Sequence, residues 1–214
     1  MSRFARITTM LLLGFAGPVT AAAQQRFTVG AQGLYGDYRE TEASLKFTGT
    51  GFGGSLIFAL HKLGVDVSYA SIKYSPVDST ATSAQEFTAK VFDANVRWRV
   101  VGQVSAEVGV TSRKMDPEFA AQGFGAVRIG GRGAINLGPG ADLTVRAHYL
   151  AGAKFSGGGT ASFPIDLGLA FSLGRADGRL RLTGDYEFQS INRKTTSKAP
   201  VQQALLRVGG SVGF

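Results

Sequence analysis

Cysteine is absent from the 214-residue chain. That excludes disulfide frameworks, thiolate chemistry and lipid attachment through an N-terminal cysteine. Histidine occurs twice, at His61 and His148, and two isolated imidazoles without cysteine do not make a zinc site. Long apolar runs are missing as well. No stretch after the N-terminal region reaches the roughly 18 residues that a membrane-spanning helix needs, and a helical apolar period is hard to find. Glycine is abundant, at 30 of 214 residues, and many lie inside otherwise strand-like segments, a distribution that helices tolerate poorly and a barrel wall can use.

The N-terminus carries the one compact apolar segment. Arg3 and Arg6 precede the apolar residues 7–16, and Pro18 and Ala21-Ala22-Ala23 follow. A basic start, a short apolar stretch and a small-residue cleavage site predict a secretory signal peptide over residues 1–23. The remaining residues, 24–214, show no change in composition that would mark a second domain.

Alternation of period two recurs in ten segments: 26–36, 49–60, 65–72, 92–100, 104–111, 125–137, 143–153, 165–173, 179–188 and 205–214. The fourth sets Phe92, Ala94, Val96, Trp98 and Val100 against Asp93, Asn95, Arg97 and Arg99. Tight links at 61–64, 101–103, 138–142 and 175–178 alternate with longer polar ones at 37–48, 73–88, 112–124, 154–163 and 189–200. The expectation is an all-β fold: a single antiparallel, up-and-down transmembrane β-barrel of about ten strands, with eight as the alternative count, and both termini on the short-turn side.

The last segment places Leu206, Val208, Gly210, Val212 and Phe214 on one face and ends on the aromatic. It resembles the closing strand of the small bacterial outer-membrane β-barrels, the porin-like and surface-protein barrels. The resemblance implies that Val208, Val212 and Phe214 form the signal read by the barrel-assembly machinery. It also implies export through the periplasm, residence in the outer membrane and contact with outer-membrane lipids. A soluble lipocalin-like barrel would turn the same apolar face inward. Aromatics near strand ends favour the membrane reading: Trp98 and Phe171 toward the turns, and Tyr35, Tyr149 and Phe188 toward the loops.

With the apolar face outward, the polar face fills the lumen. It carries Arg97, Arg99, Arg128, Arg132, Arg146, Arg181 and Arg207 against Asp66, Asp93, Glu107, Asp166, Asp185 and Glu187. So balanced a set suggests ion pairs that plug the lumen, whereas an anion pore would want a positive excess. A narrow porin-like channel for small solutes is the alternative. Enzymatic barrels need a histidine base near the loop end. His61 falls in a turn, and His148 faces the lumen with Arg146 and Leu150 at the positions where the protease and deacylase patterns need Asp and Ser. The reading is therefore non-enzymatic, without cofactor or metal, with an envelope-lipid enzyme as the remote alternative and His148 as an interior hydrogen-bond partner.

The net charge of +8 falls to +6 once Arg3 and Arg6 leave with the signal. The arginines alternate with apolar residues and form no patch for nucleic acid. Arg193, Lys194 and Lys198 gather in the last loop and are the candidate contacts for phosphorylated lipid head groups. The loops are the expected interaction surface, with a partner that the residues do not name.

Overall fold

The computed structural model describes residues 27–40, 44–77, 85–117, 123–174, 179–194 and 198–214. The expected signal peptide and the tight link at 175–178 lie outside them. Ten strands follow one another: β1 (Phe27–Glu40), β2 (Leu45–Leu60), β3 (Leu63–Pro76), β4 (Phe87–Val101), β5 (Val104–Asp116), β6 (Phe124–Gly138), β7 (Ala141–Phe155), β8 (Thr160–Gly174), β9 (Leu180–Lys194) and β10 (Lys198–Gly213). Each pairs antiparallel with its sequence neighbour, and β1 pairs with β10, so the sheet is a closed up-and-down barrel. The seam runs from Thr28 opposite Gly213 to Glu40 opposite Val201. At its foot the Phe214 N–H donates to the Phe27 carbonyl at 2.9 Å, and the two rings lie 6.4 Å apart. Closure leaves no strand edge unpaired, which the bilayer interior demands.

The strands are longer than the alternation predicts. They run 13 to 16 residues, which at ~3.4 Å per residue and the usual tilt gives roughly 35 Å of wall. An apolar band is only about 25 Å tall. Most of the extra length lies at the loop end, where residues expected in loops, such as 37–40, 45–48, 73–76 and 87–88, continue the strands.

The reason is an inversion of the two faces. On β3, Val65, Val67 and Tyr69 point outward, but above them Ala70, Ile72 and Tyr74 are buried inside. On β4, Val96, Ala94 and Phe92 form the outer face, while Val91, Ala89 and Phe87 turn inward. On β10, Leu206, Val208 and Val212 are outside, and Leu205 and Val201 are inside. The apolar phase slips by one residue without any bulge at those positions, so a pattern search sees the strand end there. At the same height the outer face becomes polar, with Lys46, Thr50, Lys73, Lys90, Lys114 and Asp116 exposed.

The barrel thus has two tiers. The turn-end tier is apolar outside and polar inside, as a membrane wall must be. The loop-end tier is polar outside and apolar inside, as a water-soluble barrel is. The alternation read from the sequence belongs to the turn-end tier, where its apolar face is outward; many of the inward apolar residues of the loop-end tier, such as Tyr38, Phe47, Tyr74 and Phe87, come from stretches expected as loops.

Candidate functional site

Inward positions of the lower tier bring most of the alternating charges together. Arg128 (β6) lies 3.2 Å from Asp93 (β4) and also pairs with Asp166 (β8). Arg132 (β6) meets Asp66 (β3) at 2.7 Å and pairs with Glu107 (β5), while Arg97 (β4) approaches Asp66 at 3.8 Å. Arg146 (β7) binds Asp185 (β9) through two 2.7 Å hydrogen bonds and Glu187 through one of 3.1 Å. Arg207 (β10) donates to Glu187 at 3.0 Å. Every guanidinium meets a carboxylate from another strand, so the network ties the wall across its interior. Such pairs contribute little net stability against an apolar filling, but losing one partner strands the other.

His148 (β7) stands at the centre of this array. Its Nε2 lies 2.8 Å from a Glu107 oxygen, and the Arg128 guanidinium lies 3.4 Å from its Nδ1. A guanidinium can only donate, so Nδ1 accepts and the proton sits on Nε2, which donates to Glu107. Both ring nitrogens are engaged with wall residues, and the ring is buried.

The network itself lines a polar cavity of about 450 Å³: Arg128, Arg132, Arg146 and His148 border it together with turn-end residues such as Thr28 and Ser211. Above it the lumen is filled. Tyr38, Phe47, Tyr74 and Phe87 pack ring against ring with centroids 5.1 to 6.0 Å apart. Leu34, Ile72, Ala89, Met115, Val201 and Leu205 complete that cluster. A second one, Phe124, Leu150, Phe155 and Ile191, covers the other side. Tyr38, Tyr74, Ile72, Ala89 and Leu150 are all 0% exposed, so wall side chains fill the lumen at the loop end.

Arg113 (β5) sits between the two clusters, its guanidinium carbon 5.5 Å from the Tyr38 ring centroid and 4.5 Å from that of Phe124. It donates to Gln203 and, at 3.4 Å, to Gln189. Gln203 in turn donates to the Tyr74 hydroxyl at 2.9 Å. The alternation did not point to Arg113, because it falls in a stretch that reads as loop. Asp142, likewise assigned to a turn, accepts from Arg181 (β9) at 2.8 Å. In each case the missing signal was the true strand end.

Two expectations are corrected. Arg99 is exposed at the turn end, outside the interior ion-pair network, because β4 reaches the barrel mouth there. Arg193 does not face lipid head groups: it is buried, stacks 5.1 Å from the Phe155 ring centroid and donates to the Gly157 and Gly158 carbonyls. Its position on β9 has inward phase, and the β7–β8 connection folds over it. The side chains of Lys194 and Lys198 lie outside the described residues. Val208, Val212 and Phe214 are exposed along the outer face of β10.

No protein-family model matches the chain, and no curated protein matches it significantly. Among solved structures it is similar to Neisserial surface protein A, at 16% identity over 88% of this chain and 97% of that one, with a TM-score of 0.42. Similarity to Ail, the attachment invasion locus protein of Yersinia pestis, is at 12% identity with the same coverages and a TM-score of 0.43. The transport unit of the autotransporter AIDA-I from Escherichia coli matches at 12% identity over 99% of this chain and 97% of that one, with a TM-score of 0.47. At these values the fold reading rests on the chain's own wall. A closed ten-stranded antiparallel ladder with an apolar outer belt and a charged interior is the architecture of the outer-membrane β-barrels.

Proposed function

We propose that this protein is a non-conducting integral barrel of the bacterial outer membrane. Its role is structural or surface-interacting, exercised through the loop end and not through the lumen. The observation that supports it is the aromatic seal: Tyr38, Phe47, Tyr74 and Phe87 fill the loop-end lumen with the side chains of four adjacent strands. Water and ions would have to cross an apolar plug whose buried polar groups, Arg113, Gln203 and the Tyr74 hydroxyl, are already bonded to one another, at a cost that desolvation makes prohibitive. The polar cavity opens toward the turn end, which in bacterial barrels is the periplasmic side. Its charges serve the wall: each carboxylate of the central network already holds a guanidinium. An enzymatic role has little support, since His148 is engaged at both nitrogens beneath the seal.

Single-channel recording of the folded chain in a planar bilayer tests this reading. A silent membrane is the expected result. Stable, reproducible openings would overturn it and favour the narrow channel, whose lumen would then be set by Arg97 and Arg132.

A further inference from the structure

On the outer face of the loop-end tier, Lys90 of β4 and Lys114 of β5 are directly opposite each other in the ladder. Cross-strand neighbours stand about 5 Å apart at Cβ, where like charges repel. Their neighbours relieve the repulsion poorly. Lys90 has Asp116 at 3.9 Å, a carboxylate that is 75% exposed, and among the described residues no carboxylate lies within 4 Å of Lys114. Lys73 on β3 and Lys46 on β2 extend the row. Lys73 is satisfied by Glu86 at 2.8 Å. Among the described residues Lys46 has Asp37 at 3.9 Å, and Asp37 is already chelated by Arg39.

The height of the pair identifies what could supply the missing negative charge. Two residues below Lys90 on the same face is Phe92, which is opposite Tyr69, and both rings are exposed. Below them the outer face is Val67, Ala94, Val108 and Val110. The lysines therefore stand at the upper rim of the apolar belt, where the ammonium groups meet lipid head groups. On β9 and β10 the loop-end ladder also sets Lys194 opposite Lys198, above Ser190, Asn192 and Gln202; for the pair Lys90 and Lys114 both side chains are exposed.

We propose that Lys90 and Lys114 hold the phosphate of a membrane lipid that carries phosphate monoesters, in the leaflet at the loop end. A dianionic phosphate has oxygens enough to accept from both ammonium groups at once, converting a repulsive pair into a bridged one. This inference rests on the membrane reading of the outer belt. It adds a lipid contact on the wall between β4 and β5 to the one expected at Lys194 and Lys198.

The test uses the full chain folded into phosphatidylcholine vesicles, with and without diphosphorylated lipid A, and with the same lipid after its phosphates are removed. The expected result is an upward shift of the thermal midpoint with the phosphorylated lipid only. Retention of that lipid through detergent extraction should be roughly tenfold weaker in Lys90→Gln/Lys114→Gln. Lys114→Glu provides a variant that should fold at least as well as wild type, since it places opposite charges across the ladder; it should lose the lipid-dependent shift. Undiminished retention in both variants, or an equal shift with the dephosphorylated lipid, would overturn the proposal. So would an equal shift with inorganic pyrophosphate, which would make the pair a site for free anions. Failure of the wild type to fold into vesicles at all would instead sink the membrane reading beneath it.

Discussion

Arg146 on β7 reaches Asp185 on β9 by lying flat across Gly168 of β8. The ladder puts Gly168 between Arg146 on one side and Glu187 on the other, and a Cβ at Gly168 would collide with the Arg146 side chain. The same device recurs in the seal. The Tyr74 ring passes over Gly49 and its hydroxyl over Gly36, which is how Tyr74 on β3 accepts a hydrogen bond from Gln203 on β10. Glycine here is the absence of an obstacle on the inner face, and the long polar side chains use the room.

Gly168→Val should therefore displace Arg146 and leave Asp185 and Glu187 under-compensated in the interior. A loss of about 3 to 5 kcal/mol is expected for breaking a buried pair from one side, read as a lower urea midpoint of the folded barrel in detergent. Gly168→Ala should cost less, because the flexible arginine can shift. A G168V barrel as stable as wild type would show that the pair contributes nothing to holding the wall.

Phe87 touches three of the rings in the seal, with centroids 5.6 Å from Tyr38 and 5.1 Å from both Phe47 and Tyr74. Truncating Phe87 to Ala should cost about 3 to 5 kcal/mol through the cavity it leaves. In combination with Tyr38→Ala it should turn a silent barrel into one with measurable ion flux in a planar bilayer. Silence in the double variant would mean that a second barrier, such as the Phe124 cluster, suffices to close the lumen.

Phe214 contributes one backbone hydrogen bond and one aromatic contact at the seam, and its ring is 74% exposed. Deleting it should lower stability by only about 1 kcal/mol. If Val208, Val212 and Phe214 act as an assembly signal, deletion should sharply reduce the amount of folded barrel in cells while leaving refolding into vesicles nearly intact. Equal loss in both settings would assign Phe214 a purely structural role.

Glu86 precedes β4, and hydrogen bonds from Lys73 and Ser75 hold its carboxyl below the usual glutamate range. A depressed folded value means the contact is fully present above the ordinary glutamate pKa and lost as the pH falls through the lower one. Following the Glu86 side-chain signal by NMR against pH should show late protonation, moving upward in Lys73→Ala. Since Glu86 is exposed, no change in global stability is expected from this variant.

Much of the lower tier was legible in the residues alone, because one face had to meet lipid and the other could not. The runs Phe92 to Val100 and Leu206 to Phe214 keep a strict alternation that admits only a strand with unlike faces. The interior charges between Asp66 and Arg207 were identifiable for the same reason. Arg113, Tyr74 and Gln203 were not, since each lies where the apolar phase has changed sides and a strand looks like a loop.

Period-two alternation is a local property of each strand, so the residues alone specify the ladder: about ten strands, the faces of the membrane tier and the balance of charge inside it. The tertiary structure decided which arginine meets which carboxylate, that Arg193 turns inward, that Lys90 opposes Lys114, and that the lumen is closed by rings from four strands. These depend on the register between strands and on the closure of the sheet, and neither is encoded in any one segment.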